Sequence, residues 1–462
     1  MTGLTWADHR VFDTAQGALL LAVEQSALYA FEPDAREALA RWRSREPILL
    51  EAVSEPDRGV LEGFRDAGLL VSAGAARTRA WSEPDPAAVP LGTLVLEVAQ
   101  ACNLQCAYCY AGGGAYGGEP RLLSPGLARR ASRFLVEASG EREEVTLVLF
   151  GGEPLLNAPA LVAAVEEAER AASAAGKRLV MSVTTNGTRF TPELVDFLRE
   201  HRVNVSVSLD GPPRVHDANR RRADGQGTYA EVLRGLELLR ERLGRPPAAR
   251  VTLTPAQWRE VPEVFDHVLG LGFLEVGIAP ASPVTRELLP TSADEEALVA
   301  GFSALTDRFL EEADRGSILP FSNLLDLLGR LHRGDTKRSP CGAGLGYLAA
   351  DAGGGLFLCH RLAGEEAFRV GDLDAGIDHA RIRARLAAQA APRREACSAC
   401  WARGFCAGGC HYENHLRETT LGLPPGGTCA FIRRWLELGI RVYARLCRKP
   451  DNPVLAFVGG RR

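Results

Sequence analysis

Three cysteines close the first strongly apolar run of this chain. Thr93 to Ala99 reads as a strand, and Ala101-Cys102-Asn103-Leu104-Gln105-Cys106-Ala107-Tyr108-Cys109-Tyr110 follows at once. The C-x3-C-x2-C spacing offers three thiolates where a four-iron, four-sulfur cluster takes one per iron. One iron is then left without a protein ligand, and an open metal position is where chemistry happens. The competing reading is a structural zinc knuckle or three buried thiols. Zinc motifs usually pair C-x2-C with a second such pair or with H-x3-H. No partner of that kind occurs in roughly the next two hundred residues.

The cysteine count sharpens the choice. Of 11 cysteines, only Cys447 falls outside a motif spacing. The N-terminus, Met1-Thr2-Gly3-Leu4-Thr5-Trp6, lacks the basic and apolar regions of an export signal, so the thiols read as metal ligands in a cytoplasmic protein rather than as disulfides. With 462 residues the chain is long enough for two or three domains. Its net charge of -4 gives no pull toward nucleic acid. No uncharged apolar run approaches the roughly 18 residues of a membrane span.

The first eighty residues carry short apolar runs at Val11-Phe12, Ala18 to Val23 and Ala27 to Phe31. Helical spacing follows over Asp34 to Arg43 and Asp57 to Ala67, and Gly68 stops the second helix before Leu69-Leu70-Val71. Strands, two helices and a closing strand describe a small winged-helix domain over 1–80. Thr78 to Pro90, with Pro84, Pro86 and Pro90, reads as a linker, set at 81–90. A DNA reader would show a basic recognition helix, whereas Asp57 to Ala67 is mixed in charge.

Six apolar runs then alternate with helical patterns. The runs are Thr93 to Ala99, Val145 to Phe150, Leu179 to Thr185, Val203 to Leu209, Arg250 to Thr254 and Leu274 to Pro280. Helices are expected over Pro125 to Ser139, Ala158 to Ala175 and Pro192 to His201. Such alternation gives a parallel sheet with right-handed crossovers, curling into part of a barrel. Six units fall short of the eight that close one.

The unusual residues cluster just after each run, at the end of a barrel where active sites sit. Gly151-Gly152-Glu153-Pro154 follows the second run; its glycines allow close backbone approach and its carboxylate can accept from an ammonium. Thr185-Asn186-Gly187-Thr188 follows the third, where it also suits a helix entry. Ser206, Ser208 and Asp210 share one face at the end of the fourth. Asp210 can orient a substrate, accept a proton or cap a turn. His216-Asp217-Ala218-Asn219-Arg220 comes next, with Arg221 and Arg222 beside it.

The cysteine spacing, the aromatic Tyr108 and the ordered motifs together resemble the radical S-adenosylmethionine (radical SAM) enzymes. The resemblance implies a cluster on Cys102, Cys106 and Cys109, shielded by Tyr108. It implies S-adenosylmethionine beside that cluster, contacted by Gly151, Gly152, Glu153, Asn186, Ser208 and Arg220. The rest of the chain extends the likeness. Cys341 is followed by twelve residues, Gly354, four residues and Cys359. Then come Cys397-x2-Cys400-x5-Cys406-x3-Cys410 and Cys429. By spacing alone Cys397 to Cys410 also suit zinc, but all seven together resemble the SPASM extension of radical SAM proteins. That likeness implies two auxiliary 4Fe-4S clusters, three clusters in all. The outer one sits on Cys397, Cys400, Cys406 and Cys429, and the inner one on Cys341, Cys359 and Cys410. No cysteine between Cys109 and Cys341 supplies an eighth thiolate. Either another residue completes the inner cluster or one iron is open to a substrate thiolate, a soft ligand suited to iron.

The expected fold class is therefore α/β: a partial (β/α)6 TIM-like barrel over 91–320 and a SPASM domain over 321–462. Before them stands the winged helix, which resembles the leader-peptide recognition domains of peptide-modifying enzymes. The implied partners are a ribosomally made precursor peptide and an electron donor such as flavodoxin or ferredoxin, with no nucleic acid and no membrane. The implied activity is hydrogen-atom abstraction followed by an intramolecular crosslink, first a cysteine thioether, next a carbon–carbon or aryl cyclophane. Residue oxidation of the sulfatase-maturase kind is a further alternative, and a non-catalytic iron–sulfur peptide scaffold is the competing class.

Overall fold

The computed structural model describes residues 3–14, 17–73, 84–389, 395–424, 426–449 and 451–460. Residues 74–83, with the start of the expected linker, lie outside them, as do 390–394 and the other gaps in the expected SPASM stretch.

The N-terminal runs pair as their alternation asks. β1 (Leu4–Trp6) is antiparallel to β5 (Leu70–Ser72), while β2 (His9–Thr14), β3 (Gly17–Ala22) and β4 (Ala27–Phe31) form an antiparallel sheet. α1 (Pro33–Trp42) and α2 (Asp57–Asp66) cover it. β3 is buried on both faces because its two sides meet different cores. Leu20 packs with Trp6, Phe31, Leu61 and Phe64. Leu21, pointing the other way, packs with Phe405, Leu436 and Ile440 from the C-terminal region. Each such side chain contributes about 1.5–3 kcal/mol. Arg403, 7% exposed, ties the same contact with ion pairs to Asp8 at 2.6 Å and to Glu24.

All six expected barrel strands form, within two residues of their expected ends: β6 (Thr93–Gln100), β8 (Glu144–Gly151), β9 (Arg178–Thr185), β10 (Asn204–Ser208), β11 (Ala248–Leu253) and β12 (Val276–Pro280). They lie parallel in chain order, with the two-residue β7 (Arg121–Leu122) antiparallel on the end of β6. α3 (Pro125–Glu137), α4 (Ala158–Ala174), α5 (Pro192–Glu200), α6 (Pro213–Asn219), α7 (Tyr229–Arg242) and α8 (Val261–Gly270) make the crossovers. Their starts are set locally: Ser124 and Thr191 accept from the backbone of Leu127 and Leu194, and proline occupies the first helical position.

Hydrogen bonding does not stop where the barrel pattern ends. After α9 (Ser292–Asp314) and α10 (Ser322–Arg333), β13 (Tyr347–Ala350) adds in parallel to the free side of β6. β14 (Gly355–Phe357), β15 (Arg369–Asp372) and β16 (Gly376–Ile377) continue antiparallel, giving one 11-stranded sheet. Sequence patterning misses these strands because none exceeds four residues. α11 (His379–Gln389), α12 (Glu395–Ser398), α13 (Arg403–Cys406), α14 (His411–Thr419), α15 (Cys429–Cys447) and α16 (Pro453–Gly460) complete the chain. Among the described residues no helix is long and apolar enough to cross a membrane.

Candidate active site

The loops after β6, β8 and β10 stand at the C-terminal edge of the parallel strands and enclose a cavity of about 580 Å³, in the range of small-molecule sites. Cys102, Cys106 and Cys109 line it with Tyr108 and Tyr110 from the same loop. Gly151 and Gly152 close β8, Ser208 ends β10, and Arg220, Arg250 and Thr252 complete this side.

The cysteine loop is pinned from two directions. Gln105 and Ala107 donate backbone N–H groups to Arg221 O at 2.7 Å and Asn219 O at 2.9 Å. On the other side Gly114 and Gly152 lie against Ala101, so closely that a Cβ on Gly152 would stand 2.4 Å from Ala101 O. Only glycine permits that approach. The three thiols lie close enough for Cys102 to feel charge on Cys106 and Cys109, and burial pushes Cys102 up to about 12. Among the described residues no three His, Cys, Asp or Glu side chains converge tightly enough for a single metal ion. Thiols spread around a cavity suit a cluster, which distributes its ligands over several irons.

Asp210 is the hub behind this wall. It is fully buried. Tyr108 Oη and Arg220 Nε, the latter at 2.9 Å, donate to Oδ2; the Thr252 N–H donates to Oδ1 at 2.9 Å. The Asp210 carboxylate does not itself line the cavity and holds three donors. It holds the two residues that do line it. His216 supports it in turn, accepting from the Asp210 N–H through Nδ1 at 3.3 Å. Thr228 Oγ1 donates to Arg220 O, so His216 Nε2 must be the donor in its 3.1 Å contact with Thr228. That assigns the neutral Nε2–H tautomer. Burial, and then the charge of Arg220, lower the imidazole to about 3.

Glu153 is also fully buried, and burial raises its carboxyl. Oε1 accepts from Leu155 N and Thr185 Oγ1, and Oε2 from Asn186 N at 2.7 Å. A carboxylate has about four acceptor positions, so one is left. Asn186 bonds Asn103 at 2.9 Å and lies 3.8 Å from Cys102 Sγ. Glu153 and Asn186 thus stand directly behind the wall that Gly151, Gly152, Cys102, Ser208 and Arg220 present.

The far wall comes from residues that sequence motifs do not single out: Phe150, Ser282, His360, Arg361, Glu413 and Phe431. His360-Arg361 directly after motif residue Cys359 is the one available sign. Cys359 feels the charge of Cys341 and of Cys410, so the three thiols lie near one another. Cys410 also lines a second, small cavity of about 60 Å³ with Cys406 and Cys429. Cys397 and Cys400 flank a turn, Cys400 N–H bonding Cys397 O at 3.1 Å. Cys447 is exposed at the end of α15.

The radical SAM superfamily matches residues 96–266. The serine-type anaerobic sulfatase-maturating enzyme of Bacteroides thetaiotaomicron is 31% identical over 163 residues, 34% of this chain and 38% of the relative. That of Klebsiella aerogenes is 25% identical over 342 residues, 70% and 80% of the two chains. The matched stretch spans about two-fifths of the length of the Bacteroides enzyme and of the cysteine-type enzymes of Clostridium perfringens. Among solved structures, native anSMEcpe with bound AdoMet shares the fold at a TM-score of 0.66 and 18% identity, covering 78% of this chain and 100% of that one. Streptococcus suis SuiB bound to precursor peptide SuiA does so at 0.53 and 14%, covering 92% and 99%. Family match and fold thus coincide on the strands whose ends build the thiol-lined cavity, and the chain carries a radical SAM domain.

Proposed function

We propose that this chain is a radical SAM maturase that takes a hydrogen atom from a ribosomally made precursor peptide and installs an intramolecular crosslink, first a cysteine thioether. The observation that carries the reading is the convergence of Cys102, Cys106 and Cys109 with Gly151, Gly152, Ser208 and Arg220 on one cavity. These thiols would hold a 4Fe-4S cluster with one iron left for S-adenosylmethionine. When bound and reduced, that cluster supplies the electron that splits S-adenosylmethionine into methionine and a hydrogen-abstracting 5′-deoxyadenosyl radical.

The chain's own residues hold and orient. Arg220 spends Nε on Asp210, so its terminal nitrogens remain for a carboxylate in the cavity it lines. The open acceptor position of Glu153 suits an ammonium, with Asn186 beside it and Ser208 on the cavity wall. Tyr108, fixed by Asp210, covers the cysteine loop. Tyr110, Phe150, Phe431 and Ile432 keep water from the reacting carbon. Cys341, Cys359 and Cys410, and Cys397, Cys400, Cys406 and Cys429, would hold the two auxiliary clusters. Flavodoxin or ferredoxin is the class of electron donor.

A leader peptide has a place to dock. β4 pairs only with β3 among the described residues, leaving one edge free. Beside it lies a groove of about 600 Å³ lined by Tyr29, Phe31, Arg36, Tyr443 and Arg448. An extended peptide adds to such an edge through main-chain hydrogen bonds. SuiB, bound to its precursor peptide SuiA, supports this reading. A second reading, residue oxidation within a protein substrate, is favoured by the sulfatase-maturating relatives.

Anaerobic incubation of reconstituted protein with S-adenosylmethionine, reductant and a candidate precursor peptide, sought among the small open reading frames beside its gene, tests the reading by mass spectrometry. Loss of two hydrogens and of one labelable thiol establishes a thioether; the same mass loss with all thiols free and fragment ions that bridge two residues establishes a carbon–carbon link, and without such bridging it marks residue oxidation. Oxidation of a sulfatase-derived peptide, with the precursor untouched, establishes the second reading. S-adenosylmethionine left intact by fully loaded protein overturns both.

A further inference from the structure

Arg361 stands where the cavity and the second group of thiols meet. It belongs to the short turn His360–Leu362, two residues after Cys359. Its guanidinium carbon lies 4.8 Å from the ring centroid of Tyr110 and 4.6 Å from that of Tyr412. Such stacking fixes the plane of the group. One terminal nitrogen is 3.9 Å from Cys410 Sγ. The other donates to Ser282 Oγ at 2.5 Å, and Ser282 Oγ donates on to Glu413 Oε1 at 2.7 Å. Glu413 itself stays 3.8 Å from the guanidinium, beyond hydrogen-bond distance, and among the described residues Arg361 Nε has no hydrogen-bond partner. The charge is therefore held in place by rings and a hydroxyl and is only loosely paired with Glu413, which it meets through Ser282 rather than by a direct hydrogen bond. Cys410 is also the N-cap residue of α14, at the positive end of that helix.

We propose that Arg361 is a positioning residue that raises the reduction potential of the group bound by Cys341, Cys359 and Cys410. The inference rests on the reading of those thiols as cluster ligands. Reduction adds one negative charge to a cluster, so a fixed cation and an N–H directed at a ligand sulfur stabilise the reduced state. A higher potential makes that group a better acceptor for a single electron. Because the same guanidinium lines the reaction cavity, its charge acts on the second group from the substrate side.

The test is an anaerobic redox titration of the reconstituted full chain, followed by electron paramagnetic resonance, on wild type, Arg361→Gln and Glu413→Gln. In Arg361→Gln the one-electron reduction equilibrium of one auxiliary signal is expected to weaken at least tenfold, about 59 mV. Glu413→Gln removes the nearest negative charge and is expected to strengthen the same equilibrium severalfold. The opposite signs separate electrostatics from general loosening of the site. If Arg361→Gln sheds iron, the Glu413→Gln arm decides alone. Auxiliary signals that stay put in iron-replete variants overturn the inference while leaving the proposed function standing. A wild-type iron content that accounts for a single cluster overturns the reading of these thiols as cluster ligands and the inference with it.

Discussion

Two arginines line the same cavity, each beside a trio of thiols and over a tyrosine ring, yet they are held in opposite ways. Arg220 lies 5.5 Å from the Tyr108 centroid and gives Nε to Asp210, a carboxylate with no solvent exposure. Arg361 is stacked between Tyr110 and Tyr412; its nearest carboxylate, Glu413, stands 3.8 Å away and is hydrogen-bonded to it only through Ser282. The first is a nearly neutral pair whose geometry is over-determined; the second leaves a positive charge in place. A paired guanidinium can orient an anion, because its remaining donors are fixed and its charge is already balanced. A loosely paired one keeps part of its field. The same side chain thus supplies geometry at one trio and potential at the other.

The comparison breaks first at Asp210. Asp210→Ala leaves Arg220, with 10% of its side chain exposed, as an uncompensated buried charge. Urea unfolding is expected to show a loss of about 3–5 kcal/mol. Replacing both partners, Asp210→Leu with Arg220→Met, is expected to cost less than Asp210→Ala alone, because no orphaned charge remains. A double variant as unstable as Asp210→Ala would show that the pair matters for packing rather than for charge. Next comes Gly152→Ala. Its Cβ would stand 2.4 Å from Ala101 O and 2.8 Å from Gly114 Cα, all backbone, so nothing can rotate away. Overpacking of that kind costs about 1–3 kcal/mol. The cysteine loop is what must move, so iron content is expected to fall with stability.

His216 sharpens the same contrast through pH. Its imidazole stays neutral down to about 3 in the folded chain, whereas an unfolded histidine takes a proton near pH 6.5. The stability it lends is fully present above about pH 6.5. As pH falls toward 3 the unfolded state binds a proton that the folded state refuses, and about 1.4 kcal/mol is lost per pH unit. Urea midpoints at pH 7 and pH 5.5 are expected to differ less in His216→Gln than in wild type. Parallel pH dependence in the two proteins would remove His216 from the support of Asp210.

How much of this the sequence made legible follows from the range over which each signal acts. The barrel strands are continuous apolar runs of five to eight residues and announce themselves locally. The three-residue β1 and the short β13 to β16 carry too few residues for a period to register. Cys102, Cys106 and Cys109 are legible because one loop supplies all three. Asp210 and Arg220 are both visible as unusual residues, but their pairing is tertiary, so the carboxylate reads as a free acid. Arg361, Ser282 and Glu413 come from three separate segments, and nothing in any one of them predicts the meeting. Glu97 is the reverse case: a lone acid inside an apolar run, which burial, and then the charge of Asp351, push well above the usual carboxyl range. Its neutral form lets β6 remain a buried central strand.

The smallest effect on stability falls at Glu413, and that is what makes it informative. Its side chain is 21% exposed and 3.8 Å from Arg361, a loose pair of the kind that contributes about 0–1 kcal/mol. Glu413→Gln keeps the shape and can still accept from Ser282, so its urea midpoint is expected to stay near that of wild type. Asp210→Asn, the same chemical change at the other arginine, is expected to destabilise by several times more, because Asp210 is buried and directly bonded to its cation. If the two amides instead cost the same, the arginines are held alike, and the division between a geometric and an electrostatic role fails at its base.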